Sequence, residues 1–178
     1  VMAFLYEIFL SFNDAAESKN MDFKFLPSVA SYKMFIDKGY LDKVTYNLLS
    51  NAFKYTPSGG KVTFSVTVDE ARKLLVISVA DSGVGIPKEK RNELFKRFMQ
   101  SSFSGSSVGV GLHLTHELVC VHKGTIVYTE NEGGGSIFTV SLPTDISVYE
   151  EKDFLIPHNV LLEEEEVHLS LIHISEPT

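Results

Sequence analysis

The stretch Asn47-Leu48-Leu49-Ser50-Asn51-Ala52-Phe53-Lys54-Tyr55 decides how this chain is interpreted. Each helical residue turns about 100°, so Asn47, Asn51 and Lys54 are expected on one helix face. The neighbouring face carries apolar residues at helical spacing, which predicts packing on a core: Leu41, Val44, Leu48, Leu49, Ala52 and Tyr55. Amide oxygens are hard ligands for Mg²⁺ and a lysine offsets phosphate charge, so the polar face suits a metal-bound polyphosphate. An ordinary solvated helix face is the alternative.

Two glycine motifs follow downstream. Asp81-Ser82-Gly83-Val84-Gly85-Ile86-Pro87 comes after the apolar run 74–80, which is typical of a buried strand. Its aspartate can project from the strand end into a pocket, and its glycines let a flat ligand approach the backbone. Gly109-Val110-Gly111-Leu112 opens an apolar segment and predicts a helix N-terminus, where backbone N–H groups bind phosphate. Each glycine motif alone is a weak signal, but the three motifs in this order are a strong one.

On these motifs the chain resembles the catalytic ATP-binding domain of a sensor histidine kinase. That domain belongs to the GHKL superfamily, with gyrase, heat-shock chaperone and mismatch-repair ATPases. The matching segments are the N box (47–56), the first glycine box (81–87), the F box (95–98), the second glycine box (109–112), and the later segments 122–124 and 135–138. The resemblance covers roughly residues 1–143. The sequence of residues 47–57 is especially similar to the corresponding sequence of hybrid two-component sensors of Bacteroides-type bacteria.

Hydrophobic periodicity predicts the elements around these motifs. We expect helices at 1–16, 42–55, 88–94 and 110–122, and strands at 21–26, 31–36, 61–68, 74–80, 125–130 and 136–142. Helices interleaved with antiparallel strand pairs predict the α+β class with two layers. The resemblance implies a Bergerat-type α/β sandwich, in which about three helices cover one face of a mixed, mainly antiparallel sheet.

For the adenine end, the resemblance assigns Asp81 to the exocyclic amino group. Gly83 and Gly85 let the purine lie against backbone, and Ser136 assists through a water, although a plain strand hydroxyl is an equal alternative. Ile86, Phe98 and Leu112 complete the nucleotide-binding residues that the resemblance implies.

For the phosphate end, the resemblance makes Asn51 the Mg²⁺ ligand. Lys54 reaches phosphate oxygens, and Gly109 and Gly111 cradle phosphate. Tyr55 covers the nucleotide, with ordinary core packing as its alternative. The implied cofactors are therefore ATP and Mg²⁺.

Asn47 is the candidate catalytic residue and also an ATP-binding one. In the hydrolysing members of the superfamily its position holds a glutamate that activates water, and an amide cannot take a proton. The resemblance therefore favours a protein that holds ATP for another nucleophile over a simple ATPase.

The chain departs from the family pattern in the second glycine box. Ser107 takes the first of three alternating glycine positions, which puts phosphate cradling in doubt. The serine-rich segment 100–108 is expected to form the ATP lid, and Phe95 and Phe98 to anchor its root or to pack in the core. A Rossmann interpretation fails because no strand leads into these glycines, and a P-loop is absent.

None of the six histidines lies in a phosphoacceptor sequence. His116-Glu117-Leu118 starts like that box but continues Val119-Cys120-Val121 and belongs to the helix after the second glycine box. The acceptor histidine is expected upstream, on a separate dimerisation domain. His122 is expected to be structural, near a helix end.

Composition places the acidity at one end. The net charge is −7; residues 145–178 hold nine acids and one lysine, about −8, which leaves residues 1–144 near +1. No basic stripe indicates nucleic-acid binding. We expect one ATP-binding domain at 1–144 and an acidic, poorly ordered tail or linker at 145–178, whose last residues, 171–178, match nothing in the family.

The sequence also favours a cytoplasmic location. Cys120 is the only cysteine, which excludes an internal disulfide, and its apolar neighbours predict a buried, inert thiol. No apolar run approaches the roughly 18 residues of a membrane span, and no signal peptide is evident, so no membrane contact by this segment is expected. The resemblance implies the cytoplasmic portion of a membrane-bound sensor.

The resulting functional prediction is transfer of the γ-phosphoryl of Mg·ATP to a histidine on a separate domain, with a response regulator served indirectly. Three alternatives stay open: a hydrolysing GHKL ATPase, a degenerate partner-binding module, and a stand-alone serine kinase of the anti-sigma type. Asn47 speaks against the first, while Ser107 and the unusual tail support the second.

Overall fold

The computed structural model describes residues 1–96 and 108–150. Its helices are α1 (Met2–Ser11), α2 (Asn13–Ser18), α3 (Lys38–Tyr55), α4 (Lys88–Arg91) and α5 (Val108–Val121), and its strands are β1 (Asp22–Pro27), β2 (Lys61–Asp69), β3 (Leu74–Asp81), β4 (Thr125–Glu130) and β5 (Ser136–Pro143). A 3₁₀ turn at Ile146–Val148 follows. This order confirms the predicted α+β class.

The described strands form one sheet in the order β1-β2-β3-β5-β4. β1 is parallel to β2, and the other neighbours are antiparallel. Cross-strand partners share a face, and the row Phe64, Val79 and Phe138 lies on the buried one. The alternate residues of β2, β3 and β5 are partly exposed, so helices cover one face of the sheet. The mixed, mainly antiparallel sandwich is thereby confirmed.

Helix α3 is the centre of the helical layer. Asp37 caps it by accepting the Tyr40 N–H at 2.9 Å, so the helix begins four residues before the predicted start at 42. Pro57 holds Thr56 in an extended conformation and ends the helix there. The predicted apolar face is buried at Leu41, Val44, Leu48, Leu49 and Ala52, whereas its last member, Tyr55, is only half-buried.

Three other predicted elements were wrong in detail. Residues 31–36 form no strand beyond one bridge at Phe35. A strand must hydrogen-bond to a neighbouring strand, and the alternation of apolar and polar residues does not by itself provide that neighbour. The predicted helix 1–16 divides at Phe12, whose N–H turns back to the Phe9 carbonyl at 3.1 Å. Helix α4 ends at Arg91 and continues as turns, short of the predicted residue 94.

Cys120 is exposed, which overturns the prediction of a buried thiol. Helix α5 directs Thr115 and Val119 into the protein, and Cys120 lies one helical step further round. Its Sγ lies 3.7 Å from His116 Nε2. Leu114 and Val121 are exposed as well. The apolar character of a residue is therefore not enough to predict which face of this helix is buried.

Residues 145–150 contact the body of the domain. Asp145 accepts hydrogen bonds from Lys73 Nζ and the Ser147 N–H, which hold the pKa of its carboxyl well below the usual range. The Tyr149 hydroxyl donates to the His122 carbonyl at 2.9 Å. Poor order was expected for the whole tail, 145–178; residues 145–150 make these contacts, and residues 151–178 lie outside the described ones. Among the described helices, none has the length and apolarity needed to cross a membrane.

Candidate nucleotide site

Asn47 lies at the contact between α3 and α5. Its Nδ2 donates to Thr115 Oγ1 at 3.2 Å, and that hydroxyl donates to the Gly111 carbonyl at 2.8 Å. Thr115 is fully buried, so the two bonds bind the amide of Asn47 to the first turns of α5. The Asn47 Oδ1 is then directed away from Thr115, where it is available to a ligand. Sequence reasoning missed Thr115, although a hydroxyl four residues after Gly111 on an apolar helix was the available signal.

Asn51 and Tyr55 carry buried polar atoms without partners. Neither Asn51 Nδ2 nor the Tyr55 hydroxyl has a hydrogen bond within the described residues. Burial also raises the pKa of Tyr55. Lys54 is exposed, with Nζ 5.5 Å from the centre of the Tyr55 ring. Unpaired buried polar groups are costly, so these two are suited to a ligand that pairs with them.

Asp81 is a buried carboxylate at the end of β3, as predicted. Its Oδ1 accepts the Gly83 N–H at 2.8 Å and the Ser136 N–H at 3.2 Å. Burial raises the pKa of Asp81, and these two N–H donors oppose the rise. Its other oxygen accepts no hydrogen bond from the described residues and is available to a ligand N–H. Ser136 therefore contacts Asp81 through its backbone, and the predicted role of its hydroxyl stays a prediction.

The first glycine box lies against the end of α3. A Cβ on Gly83 would meet the Tyr55 carbonyl oxygen at 2.5 Å, so only glycine allows this approach. The Val84 N–H points to the same carbonyl at 3.4 Å. Gly85 has φ of +68°, a conformation that favours glycine. The box therefore brings Asp81 and the C-terminal end of α3 together.

The β4–β5 turn supports Asp81 from the other side. Asn131 Nδ2 donates to the Asp81 carbonyl at 2.8 Å, and a Cβ on Gly135 would lie 2.0 Å from that oxygen. Asn131 was not predicted as a site residue, because an asparagine in a hairpin turn is unremarkable in a sequence.

The second glycine box lies at the start of α5, where Gly109 and Gly111 occupy the first turns. This confirms a helix beginning at the box, at 108 where 110 was predicted. A Cβ on Gly111 would meet nothing within 4 Å, so the space beside it is open. Leu112 is buried. The predicted residues Phe98 and Ser107 and the predicted lid 100–108 fall outside the described residues, except for the backbone of residue 108.

Arg91 ties the segment after the first glycine box to the edge strand. Its Nε donates to the Ile86 carbonyl at 2.9 Å, and its guanidinium pairs with Glu130 at 3.1 Å. The guanidinium also lies over the Tyr128 ring, 5.4 Å from its centre. No role for Arg91 follows from the sequence, because a basic residue on a short helix carries no distinctive signal.

The residues present fit an adenine nucleotide with its metal. Asp81 offers a free carboxylate oxygen to an exocyclic amine, and Gly83 and Gly85 expose backbone beside it. Asn51 and Asn47 offer amide groups about one and two helical turns before Tyr55 on α3, and the space beside Gly111 is open. Amide oxygens and phosphate oxygens are the ligands that Mg²⁺ prefers.

Comparisons with known proteins agree with this arrangement. Residues 36–146 match the family described as histidine kinase-, DNA gyrase B-, and HSP90-like ATPase. Histidine kinase P4 of Formosa agariphila is 38% identical over 151 residues, covering 80% of this chain and 11% of that protein. Sensor histidine kinase WalK of Bacillus subtilis is 41% identical over 112 residues, covering 61% of this chain and 18% of that protein.

The fold is also similar to that of a solved structure. The catalytic domain of histidine kinase ThkA superposes with a TM-score of 0.73 at 24% identity, covering 81% of this chain and 92% of that one. The chain spans less than a fifth of the length of the two sequence relatives. It belongs to the histidine kinase-, DNA gyrase B- and HSP90-like ATPase family, as a catalytic ATP-binding domain of the sensor histidine kinase type.

Proposed function

We propose that this chain binds Mg·ATP and presents its γ-phosphoryl group to a histidine on a separate dimerisation domain. A response regulator would receive the phosphoryl group afterwards, and the domain would act in the cytoplasm. The proposal rests mainly on the hydrogen bonding of Asn47, whose Nδ2 donates to Thr115 and whose Oδ1 remains free to bind the ligand.

The adenine end positions the nucleotide. The free oxygen of Asp81 accepts the exocyclic amino group, while its other oxygen is occupied by the N–H groups of Gly83 and Ser136. A carboxylate already oriented by two donors selects an amine over a carbonyl at this position. This geometry favours adenine over guanine, whose corresponding group is an oxygen.

The phosphate end holds charge without activating water. Asn51 and Asn47 supply amide groups, Lys54 supplies a cation, and Gly109 and Gly111 open the backbone of α5 to phosphate. When bound, Mg²⁺ neutralises phosphate charge and polarises the phosphoryl group. No carboxylate stands in the place of Asn47, so the chain has no general base there, and attack awaits an incoming histidine.

Calorimetry of ADP and of a non-hydrolysable ATP analogue, with and without Mg²⁺, tests the binding part. We expect binding to the intact chain and a loss of the Mg²⁺ dependence in Asn51→Ala. Asp42→Asn, an exposed change on the same helix, is the matched control. Absence of any nucleotide binding would leave the degenerate partner-binding module as the better account.

Phosphoryl transfer needs a separate test. The chain is incubated with γ-labelled ATP and a histidine-containing dimerisation fragment, and the label is examined for the acid-labile, base-stable behaviour of phosphohistidine. We expect labelled fragment and very slow release of free phosphate without it. Steady ATP hydrolysis by the chain alone, abolished by Asn47→Ala, would favour the hydrolysing ATPase.

A further inference from the structure

The pairing of β3 with β5 ends in an unusual way beside the candidate nucleotide site. The register of the two strands ends with Ala80 opposite Ile137, and its next step would place Asp81 opposite Ser136. In a regular antiparallel ladder, the N–H at such a position donates to the facing carbonyl. Here the Ser136 N–H donates instead to the Asp81 side chain, with Oδ1 at 3.2 Å. The carboxylate has therefore taken a donor that a regular ladder would give to the backbone carbonyl of the same residue.

The backbone carbonyl of Asp81 points toward that donor. The next residue, Ser82, donates its N–H to the Lys61 carbonyl of β2 at 3.0 Å. Backbone groups of successive strand residues point to opposite neighbours, so the Asp81 carbonyl is directed toward β5 and away from β2. Because Asp81 is buried, a carbonyl without a donor at this position would be costly.

The side chain of Asn131 supplies the donor that this carbonyl needs. Its Nδ2 donates to the Asp81 carbonyl at 2.8 Å. The backbone of Asn131 is fixed within the β4–β5 turn, because its N–H bonds to the Gly135 carbonyl at 3.2 Å and its own carbonyl accepts the Gly134 N–H at 3.0 Å. Gly135 has φ of +106° and lies so close to the Asp81 carbonyl that no side chain would fit. The turn therefore holds the Asn131 amide against the end of β3.

We propose that Asn131 is a positioning residue for adenine recognition, which donates to the Asp81 carbonyl and so leaves the Ser136 N–H to orient the Asp81 carboxylate. Oδ1 then keeps both of its donors, the N–H groups of Ser136 and Gly83. With Oδ1 held by two donors, the second carboxylate oxygen keeps one direction toward the exocyclic amine of the base. This role rests on the proposed function, in which Asp81 accepts that amine.

Removal of the Asn131 amide makes the carbonyl and the carboxylate of Asp81 compete for one donor. The carbonyl already points toward β5, so the Ser136 N–H can return to it and complete a regular ladder. The fold then loses little stability, because the buried carbonyl is paired again. The carboxylate keeps only the Gly83 N–H and can rotate, so its contact with the exocyclic amine weakens while the rest of the site is unchanged.

Calorimetry with two nucleotides tests this role. ADP carries the exocyclic amine, and purine riboside diphosphate is the same molecule with a hydrogen in its place; both are measured with Mg²⁺. The variants are Asn131→Ala and, as the matched control, Glu132→Gln, an exposed change in the same turn. Asn131→Ala is also combined with Asp81→Asn, and thermal unfolding verifies that every variant folds.

We expect the native chain to bind ADP about 10- to 100-fold more tightly than purine riboside diphosphate, which leaves the carboxylate oxygen unpaired. Asn131→Ala should lower this ratio at least about 5-fold through weaker ADP binding, and Glu132→Gln should leave it unchanged. In the Asp81→Asn chain, Asn131→Ala should change the affinity for ADP by less than about 2-fold, because Asn131 acts through the carboxylate.

An unchanged ratio in Asn131→Ala, in a native chain that prefers ADP, overturns the role of Asn131 and leaves the proposed function intact. Equal losses for the two nucleotides would make the amide a support of the whole site and also overturn that role. Equal binding of the two nucleotides by the native chain overturns both the role of Asn131 and the contact of Asp81 with the amine. A native chain that binds neither nucleotide overturns the proposed function and the role of Asn131 with it.

Discussion

At the scale of single residues, the site depends on polar groups whose bonding is only partly satisfied inside the protein. Asp81 uses one carboxylate oxygen for Gly83 and Ser136 and leaves the other free. Asn51 and Tyr55 each hold a buried polar atom without a described partner. Buried polar atoms without a described partner also occur at Tyr40, Thr45, Thr56 and Tyr128, so a binding role for Asn51 and Tyr55 rests on their position on α3 next to Asn47 and the first glycine box.

Replacing Asp81 by asparagine separates binding from folding. The amide oxygen can still accept the Gly83 and Ser136 N–H groups, while the amide nitrogen faces the donor of an adenine. We expect the affinity for ADP to fall about 10- to 100-fold, the cost of one buried unpaired donor, with the fold intact. Calorimetry measures this, with Asp42→Asn as control. Retained affinity in Asp81→Asn would contradict the assignment of this carboxylate to adenine.

The stability of Asp81→Asn relative to the native chain should depend on pH. Burial raises the pKa of Asp81, so the folded state is destabilised where this carboxyl is ionised. The contribution of the group is favourable below its unfolded pKa and is lost as pH rises through the folded value. We therefore expect urea unfolding between about pH 4 and pH 7 to show that the free energy of unfolding of Asp81→Asn rises relative to that of the native chain as the pH approaches neutral. A pH-independent difference would mean that burial does not govern this carboxyl.

At the scale of elements, α3 and α5 are joined by specific contacts as well as by core packing. Asn47 and Thr115 connect their middle turns, and Tyr40 stacks on His122 near their ends with ring centres 3.3 Å apart. The predicted structural role of His122 agrees with this stack and with its bond to the Leu118 carbonyl. The first turns of α5, which we propose to bind phosphate, are therefore positioned relative to the asparagines of α3.

Thr115→Val tests this connection with a residue of nearly the same shape. The variant loses the bonds to Asn47 and to the Gly111 carbonyl, so the Asn47 amide can rotate. We expect phosphotransfer kcat to fall about 10-fold, with a smaller change in ADP affinity and about 1 kcal/mol lower stability. Thr115→Ser keeps the hydroxyl and should restore kcat. Equal losses in the valine and serine variants would indicate that the methyl packing, and not the hydroxyl, matters.

The stack on His122 predicts a second pH effect. Burial lowers the pKa of His122, against the smaller opposing influences of the Leu118 carbonyl and Asp37. A base with a lowered folded pKa contributes stability above its unfolded pKa, and that stability is lost as pH falls through the folded value. Chemical unfolding should show the native chain losing more stability than His122→Gln between about pH 7.5 and pH 5. Parallel losses in the two chains would contradict a buried, neutral imidazole.

At the scale of the whole molecule, the proposed nucleotide site joins parts that are far apart in sequence. It draws on α3, the end of β3, the β4–β5 turn and the start of α5, all held by one hydrophobic core. A ligand that binds these parts only when they are assembled should stabilise the entire fold.

Unfolding measurements with Mg·ADP test that coupling. At a free ligand concentration 100 times the Kd, the free energy of unfolding should rise by about 2.7 kcal/mol. Adding a chelator should remove the part of this gain that depends on Mg²⁺. Asp81→Asn, with its expected affinity about 10- to 100-fold weaker, should gain only about 0.4 to 1.4 kcal/mol at the same ligand concentration. An equal gain in the variant would place the binding elsewhere.

The sequence by itself determined the elements with strong periodicity and the order of the motifs. The strands at Lys61–Asp69 and Leu74–Asp81, the β4–β5 hairpin and the amphipathic helix at Asn47–Tyr55 follow from local pattern, because spacing along a chain reports which face is apolar. The glycines of the first glycine box were likewise identified from the sequence, because a close approach to the backbone requires glycine.

Only the tertiary structure decided which residues meet. The bond between Asn47 and Thr115, the support of Asp81 by Asn131, the exposure of Cys120 and the position of β4 at the end of the described sheet all depend on contacts across long sequence separations. Residues 31–36 alternate like a strand and form none, because a strand needs a partner edge that the chain must bring to it. The spacing of apolar residues predicts which secondary structure each segment prefers. Tertiary packing decides which residues each segment contacts.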